Sequence, residues 1–153
     1  MPITVDLADE AATTRLGAVI ARLLQAGDAV CLTGPLGAGK STLARGLIRA
    51  LTTPEEDVPS PTFTLVQFYE AEDFSLAHFD LYRLAGPDEV REIGLDEALD
   101  DGAVLIEWPE RLEGHLPADR LDIEIAMAGE GAEEHRVATL TPHGAWEGRT
   151  IEF

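Results

Sequence analysis

One stretch of the chain has the residue types and spacing to hold phosphate. Gly34-Pro35-Leu36-Gly37-Ala38-Gly39-Lys40-Ser41 fits G-x-x-x-x-G-K-[ST] at every fixed position. Glycines let the backbone turn tightly, so that successive N–H groups converge on phosphate oxygens. A helix starting at Ser41 would add its unpaired N–H groups and the positive end of its dipole. Lys40 has the reach for the β- and γ-phosphates of a nucleotide, and the Ser41 hydroxyl is suited to ligating Mg²⁺. The bland alternative is a glycine turn that happens to contain a lysine, a coincidence on the order of one in a thousand for this composition. Lys40 is also the only lysine among 11 basic residues, so chance has more still to explain.

Such a loop binds; hydrolysis or phosphoryl transfer also needs an acid to hold the metal and a group to orient the attacking oxygen. Two acids close apolar runs. Glu107 follows Val104-Leu105-Ile106, and Asp80 follows Leu76-Ala77-His78-Phe79. Ligand sites in open α/β sheets lie at the carboxyl ends of the strands, which makes both acids candidates for holding Mg²⁺ or polarising a water. Which of the two does which job is left open at this level. Trp108, next to Glu107, reads as a core aromatic or as a cover over the site. His78, in mid-strand, reads as a core or surface histidine rather than a catalytic one. His115, His135 and His143 show no metal-ligand spacing, and a single cysteine argues against zinc. Cys31 reads as a packing residue and the acidic run Glu130 to Glu134 as a solvated turn.

These residues need elements to position them. Ile3, Val5 and Leu7 alternate with polar residues and predict a short strand. Asp9 is placed to cap a helix from Glu10 to about Gln25, with Gly27 as its stop. Ala29 to Leu32 is a continuous apolar run, as in a strand buried on both faces. The phosphate loop comes next, then an amphipathic helix from Ser41 to Leu51. Thr52 to Pro61, with three prolines, predicts a loop. Alternation predicts two antiparallel strands, Phe63 to Tyr69 and Leu76 to Phe79. One or two short helices are expected between Gly86 and Leu99. Further strands are expected at Val104 to Ile106, Leu121 to Ala126 and Arg136 to Thr141. With no repeat or linker in view, the expectation is one α/β domain over residues 1–153: a P-loop NTPase-like fold with a mixed sheet flanked by helices.

Composition narrows the function class. The 153 residues are 45% hydrophobic and 26% charged, the balance of a globular domain with a real core. No run approaches the roughly 20 apolar residues of a membrane span. The start Met1-Pro2-Ile3-Thr4-Val5-Asp6 lacks the basic and apolar segments of a signal peptide, and the lone Cys31 makes a reducing cytoplasm the expected compartment. A net charge of −18 argues against an extensive nucleic-acid footprint on this chain.

Four segments in order carry a resemblance: the phosphate loop Gly34 to Thr42, Ser60-Pro61-Thr62-Phe63-Thr64-Leu65-Val66, His78-Phe79-Asp80-Leu81-Tyr82-Arg83-Leu84 and Glu107-Trp108-Pro109. From about Asp9 to Pro117 the chain resembles the bacterial tRNA threonylcarbamoyladenosine biosynthesis protein TsaE family. The resemblance implies a small ATPase that joins the TsaB–TsaD complex, where ATP hydrolysis supports repeated turnover and tRNA is contacted only through the partners. It implies that Gly37, Ala38, Gly39, Lys40, Ser41 and Thr42 hold ATP or ADP, that Ser41 and Glu107 hold Mg²⁺, and that Asp80 is positioned for hydrolysis. It also implies that Thr62 lies in a mobile loop facing the γ-phosphate, rather like a switch, and that Glu10 lies near the base. Many relatives carry Thr where this chain has Ser41, a change that keeps the hydroxyl.

Three other readings compete. A small-molecule kinase would use the same loop, but such enzymes usually close an arginine-bearing lid, and Arg83, Arg91 and Arg111 are scattered. A GTPase generally reads guanine with an N-K-x-D segment, and the chain has no asparagine. A nucleotide-sensing module without turnover needs the same cradle, and is separated from a slow ATPase by whether partners raise hydrolysis.

Overall fold

The computed structural model describes residues 2–35, 39–61, 64–84, 87–131 and 134–153. Seven strands form one sheet: β1 (Ile3–Leu7), β2 (Ala29–Thr33), β3 (Val66–Glu70), β4 (Ser75–Asp80), β5 (Gly102–Glu107), β6 (Arg120–Ala128) and β7 (His135–Pro142), in the order β1-β7-β6-β2-β5-β4-β3. The central four, β6-β2-β5-β4, run parallel, and antiparallel pairings add β7 and β1 on one side and β3 on the other. The sheet is mixed, as expected. Parallel strands need crossovers that cover both faces, which is why β2 and β5 read as unbroken apolar runs.

On one face lie α1 (Glu10–Leu23) and α2 (Lys40–Leu51). Leu16, Ile20, Leu43 and Leu47 pack there onto Val30, Leu32, Leu105 and Ile123. The two helices approach closely because glycines meet at their crossing. A Cβ on Gly17 would stand 2.5 Å from the Leu43 carbonyl oxygen, and one on Gly46 would stand 2.5 Å from that of Thr14. The other face is covered by α4 (Leu95–Asp101), reached through α3 (Pro87–Glu92), and by a 3₁₀ turn at Pro109–Leu112. Leu95, Leu84 and Leu112 pack there on Cys31, Phe79 and Ile106.

Asp9 caps α1 as expected, its carboxylate accepting the Ala12 N–H at 2.8 Å. The helix stops at Leu23 rather than about Gln25, because the Gln25 amide donates to the Asp28 carboxylate at 2.7 Å instead of continuing the ladder. Asp28 is 2% exposed and also receives both terminal nitrogens of Arg149, at 2.5 and 3.2 Å. Arg149 lies over the buried Trp146 ring, 4.5 Å from its centroid, so the C-terminal segment is tied to the entrance of β2. β3 starts at Val66, not Phe63. Leu65 takes a left-handed φ of 70° and its N–H turns back to the Pro61 carbonyl at 2.7 Å, which ends the alternation; Phe63 itself is outside the described residues. Between Pro87 and Asp101 there are two helices, separated at Gly94, where φ is 89°. The acidic turn falls partly outside the described residues; Glu130, Gly131 and Glu134 are exposed.

Candidate active site

The site is built at the carboxyl ends of the parallel strands. β2 leads through Gly34 and Pro35 towards α2, whose first residue is Lys40. Gly34 has a φ of 143° and lies against β6, where an added Cβ would be 2.5 Å from the Ile125 carbonyl oxygen, so only glycine leaves the loop room to start there. At the far end of the loop Gly39, with a φ of 109°, caps α2 without any side-chain hydrogen bond. The Leu43 N–H closes the first turn onto the Gly39 carbonyl at 3.0 Å. The amides before it have no intrahelical acceptor, so a helix of 12 residues presents its positive end at this point.

Lys40 is 6% exposed, and its ammonium has no hydrogen-bond partner among the described residues. What it has is the face of the Trp108 indole, 3.9 Å from Nζ to the ring centroid. A desolvated cation–π contact is worth about 2 kcal/mol, far less than the hydration a buried ammonium gives up. Trp108 presents that face because its backbone turns at a φ of 62° directly after β5. Tyr82 leans on the same indole, with ring centroids 4.8 Å apart at 49°. Arg111 holds the Tyr82 carbonyl with Nε and Nη2, at 3.2 and 3.0 Å.

Glu107 and Asp80 are register partners at the ends of β5 and β4, and Glu107 also sits opposite Leu32 of β2. Both are buried, at 6% and 5% exposure. They lie two and four positions from Leu105 and Leu76 of the α1–α2 core, which puts both acids on the face of the sheet that carries α2. The Asp80 carboxylate accepts the Tyr82 N–H at 3.0 Å. The Asp80 N–H in turn donates to the Leu65 carbonyl at 3.0 Å, which ties Leu65 to the end of β4.

Of the sequence-predicted residues, the fold gathers Lys40, Asp80, Glu107 and Trp108 around one end of the sheet. Ser41 is exposed and Thr42 half-buried on the first turn of α2. Glu10, Gly39 and Thr42 line a separate cleft of about 310 Å³ with Asp9, Thr13 and Arg136, which meets the first group at the start of α2. Gly37, Ala38 and Thr62 lie outside the described residues. No cluster of three or more potential metal-ligating His, Cys, Asp or Glu side chains occurs among the described residues. His78 is a core histidine, one of the two readings its mid-strand place allowed, but its partner was not foreseen. It is 2% exposed, and its Nε2 lies 2.8 Å from Glu107 Oε2. The signal was there: His78 precedes Asp80 by two residues in one strand, which puts both side chains on the same face. The Tyr82–Arg111 brace beside Trp108 was also not foreseen.

The match to the family model for "Threonylcarbamoyl adenosine biosynthesis protein TsaE" spans residues 7–137. The chain belongs to the TsaE family. A Streptomyces coelicolor relative named tRNA threonylcarbamoyladenosine biosynthesis protein TsaE is 42% identical over 133 residues, covering 84% of this chain and 89% of its own. A Rickettsia conorii protein of the same name is 33% identical over 147 residues, covering 96% and 84%. The crystal structure of Bacillus subtilus YdiB superposes with a TM-score of 0.77 at 30% identity, covering 96% of this chain and 90% of that one. All four segments that carried the resemblance to the TsaE family lie within the matched span. Among the described residues no helix is long and apolar enough to cross a membrane.

Proposed function

We propose that this chain is the ATP-hydrolysing member of the machinery that makes threonylcarbamoyladenosine in tRNA, working on the TsaB–TsaD complex and touching tRNA only through it. The observation that carries the nucleotide reading is Lys40: a buried ammonium with no hydrogen-bond partner among the described residues, at the N-terminus of α2. Such a group is poised to accept an anion, and phosphate oxygens would supply the charge and hydrogen bonds it lacks. The names of the TsaE relatives support the pathway. The charge of −18 supports leaving tRNA contact to the partners.

In this reading the loop amides through Gly37, Ala38 and Gly39, with Lys40 and the first turn of α2, hold the phosphates of ATP or ADP. The cleft beside Glu10 receives the base end. Ser41 and Glu107 fit a Mg²⁺ ion, one a hydroxyl and the other a buried carboxylate; when bound, the ion would offset phosphate charge and act as a Lewis acid. Asp80, held by the Tyr82 amide, orients and accepts a proton from the attacking water. Thr62, outside the described residues, keeps the γ-phosphate role that the family resemblance implies, and Trp108 covers the site.

The test is ATP turnover by the purified chain with Mg²⁺, alone and with the cognate TsaB–TsaD complex. The expected result is stimulation by the complex, abolished by Glu107→Ala, with Asp80→Ala sparing nucleotide binding more than turnover. Binding of ATP without stimulation or association would remove the partner assignment. Undiminished turnover in Asp80→Ala would remove its role.

A further inference from the structure

His78 is a buried titratable side chain in contact with Glu107 that the functional reading above leaves unused. It sits in β4 opposite Leu105, one diagonal step from Glu107 of β5, on the sheet face that carries α2. Its Nε2 is 2.8 Å from Glu107 Oε2, with the two side chains 3% and 8% exposed. Its Nδ1 is buried and has no partner among the described residues. A histidine in this setting is held in one arrangement. If Nδ1 carried the proton, a buried N–H would be left unmet and Nε2 would face a carboxylate lone pair to lone pair, a costly double loss. With the proton on Nε2, the hydrogen bond is made and Nδ1 is only a bare acceptor.

We propose that His78 is a positioning residue for Glu107: its Nε2–H engages Oε2, fixes the carboxylate rotamer, and leaves Oε1 as the oxygen offered to the metal of the bound nucleotide. A carboxylate on a short strand end has two roughly equivalent oxygens and a broad terminal torsion, so an unheld Glu107 would sample orientations that present neither. His78 removes that freedom before nucleotide arrives. Hydrogen-bond partners of metal ligands typically alter metal affinity or activity by about 10–100-fold when lost. The inference rests on the nucleotide reading above, and the experiment separates the two.

ADP binding is titrated by calorimetry in EDTA and at graded Mg²⁺ for the wild-type chain, His78→Leu and His78→Gln. Leucine fills space without a donor; the glutamine amide nitrogen can reach the position of Nε2. The expected result is that His78→Leu binds ADP in EDTA within about 2-fold of wild type but needs about 10–100-fold more Mg²⁺ for the metal-dependent gain, and that His78→Gln recovers most of it. A Mg²⁺ requirement unchanged in His78→Leu overturns the proposal, as does an equal loss with and without the metal, which marks a purely structural residue. If the wild-type chain binds ADP in neither condition, the nucleotide reading falls and takes this inference with it. A second measurement needs no variant to be stable: ¹⁵N spectra of the histidine-labelled wild-type chain should show His78 protonated at Nε2, and the Nδ1–H tautomer would overturn the proposal.

Discussion

Strand β2 has a buried charge beyond each end, and the two are treated in opposite ways. At its entrance Asp28 accepts an amide from Gln25 and both terminal nitrogens of Arg149, so its carboxylate is fully engaged. Beyond its exit Lys40 is nearly as buried, yet its ammonium meets only an indole face. Burial is similar; satisfaction is not. The fold closes one charge into a network and leaves the other without a hydrogen bond among the described residues, which is the contrast on which the proposed anion site rests. The entrance holds the C-terminal segment to the sheet, and the exit gathers the groups suited to a nucleotide.

The contrast can be broken from either end. The largest effect belongs to the entrance. Asp28→Ala strands the Arg149 guanidinium and the Gln25 amide, at a cost of about 3–5 kcal/mol. Thermal unfolding should fall by about 6–20 °C, because a chain of this size loses about 2–4 °C per kcal/mol. The double variant Asp28→Leu with Arg149→Met should recover much of that, since it removes both charges. A single-variant loss under about 1 kcal/mol would mean that the network does not hold this end.

At the exit the signature should invert. Lys40→Met keeps the packing on Trp108 and removes a poorly satisfied charge, so unfolding should change by less than about 1 kcal/mol or move upward. Nucleotide affinity should nevertheless fall on the order of 100-fold, the loss of about 2–3 kcal/mol of charge-assisted hydrogen bonding. Calorimetric unfolding and ligand titration on the same preparation measure both halves. A variant that unfolds much earlier than wild type would make Lys40 structural and erase the contrast.

The smallest effect lies between the two ends, at Cys31. Burial pushes its thiol up to about 12, with the Asp122 charge and hydrogen bond adding to the rise. In the unfolded chain the same thiol ionises near its ordinary value of 9.0. Above that pH the unfolded state binds fewer protons than the native one, so stability falls as pH rises from about 9 towards about 12 and is unaffected below. From pH 8 to pH 10 the wild-type chain should lose about 1 kcal/mol more than Cys31→Ala in urea unfolding. Equal losses would show that Cys31 does not titrate differently in the two states.

Much of this was legible in the residues alone. The phosphate loop is a local signal, because tight turns and close backbone approach demand glycine at fixed spacing. The Asp9 cap and the buried runs of β2 and β5 follow from local donors and from apolar periodicity. The register of Asp80 with Glu107 was half legible: each acid closes a strand, but only parallel pairing of β4 with β5 brings them side by side. The end of α1 was misread because Asp28 competes for the Gln25 amide, and the start of β3 because Leu65 turns back on Pro61.

The sequence by itself determined which residue types stand after the buried strand β2 and at what spacing, since those are local along the chain. The tertiary structure alone decided which charges are satisfied. His78 meeting Glu107, Arg149 meeting Asp28 and Trp108 covering Lys40 join residues 29, 121 and 68 positions apart. Hydrogen bonds and desolvation are set by what lies within a few ångströms, and no local pattern along the chain encodes that.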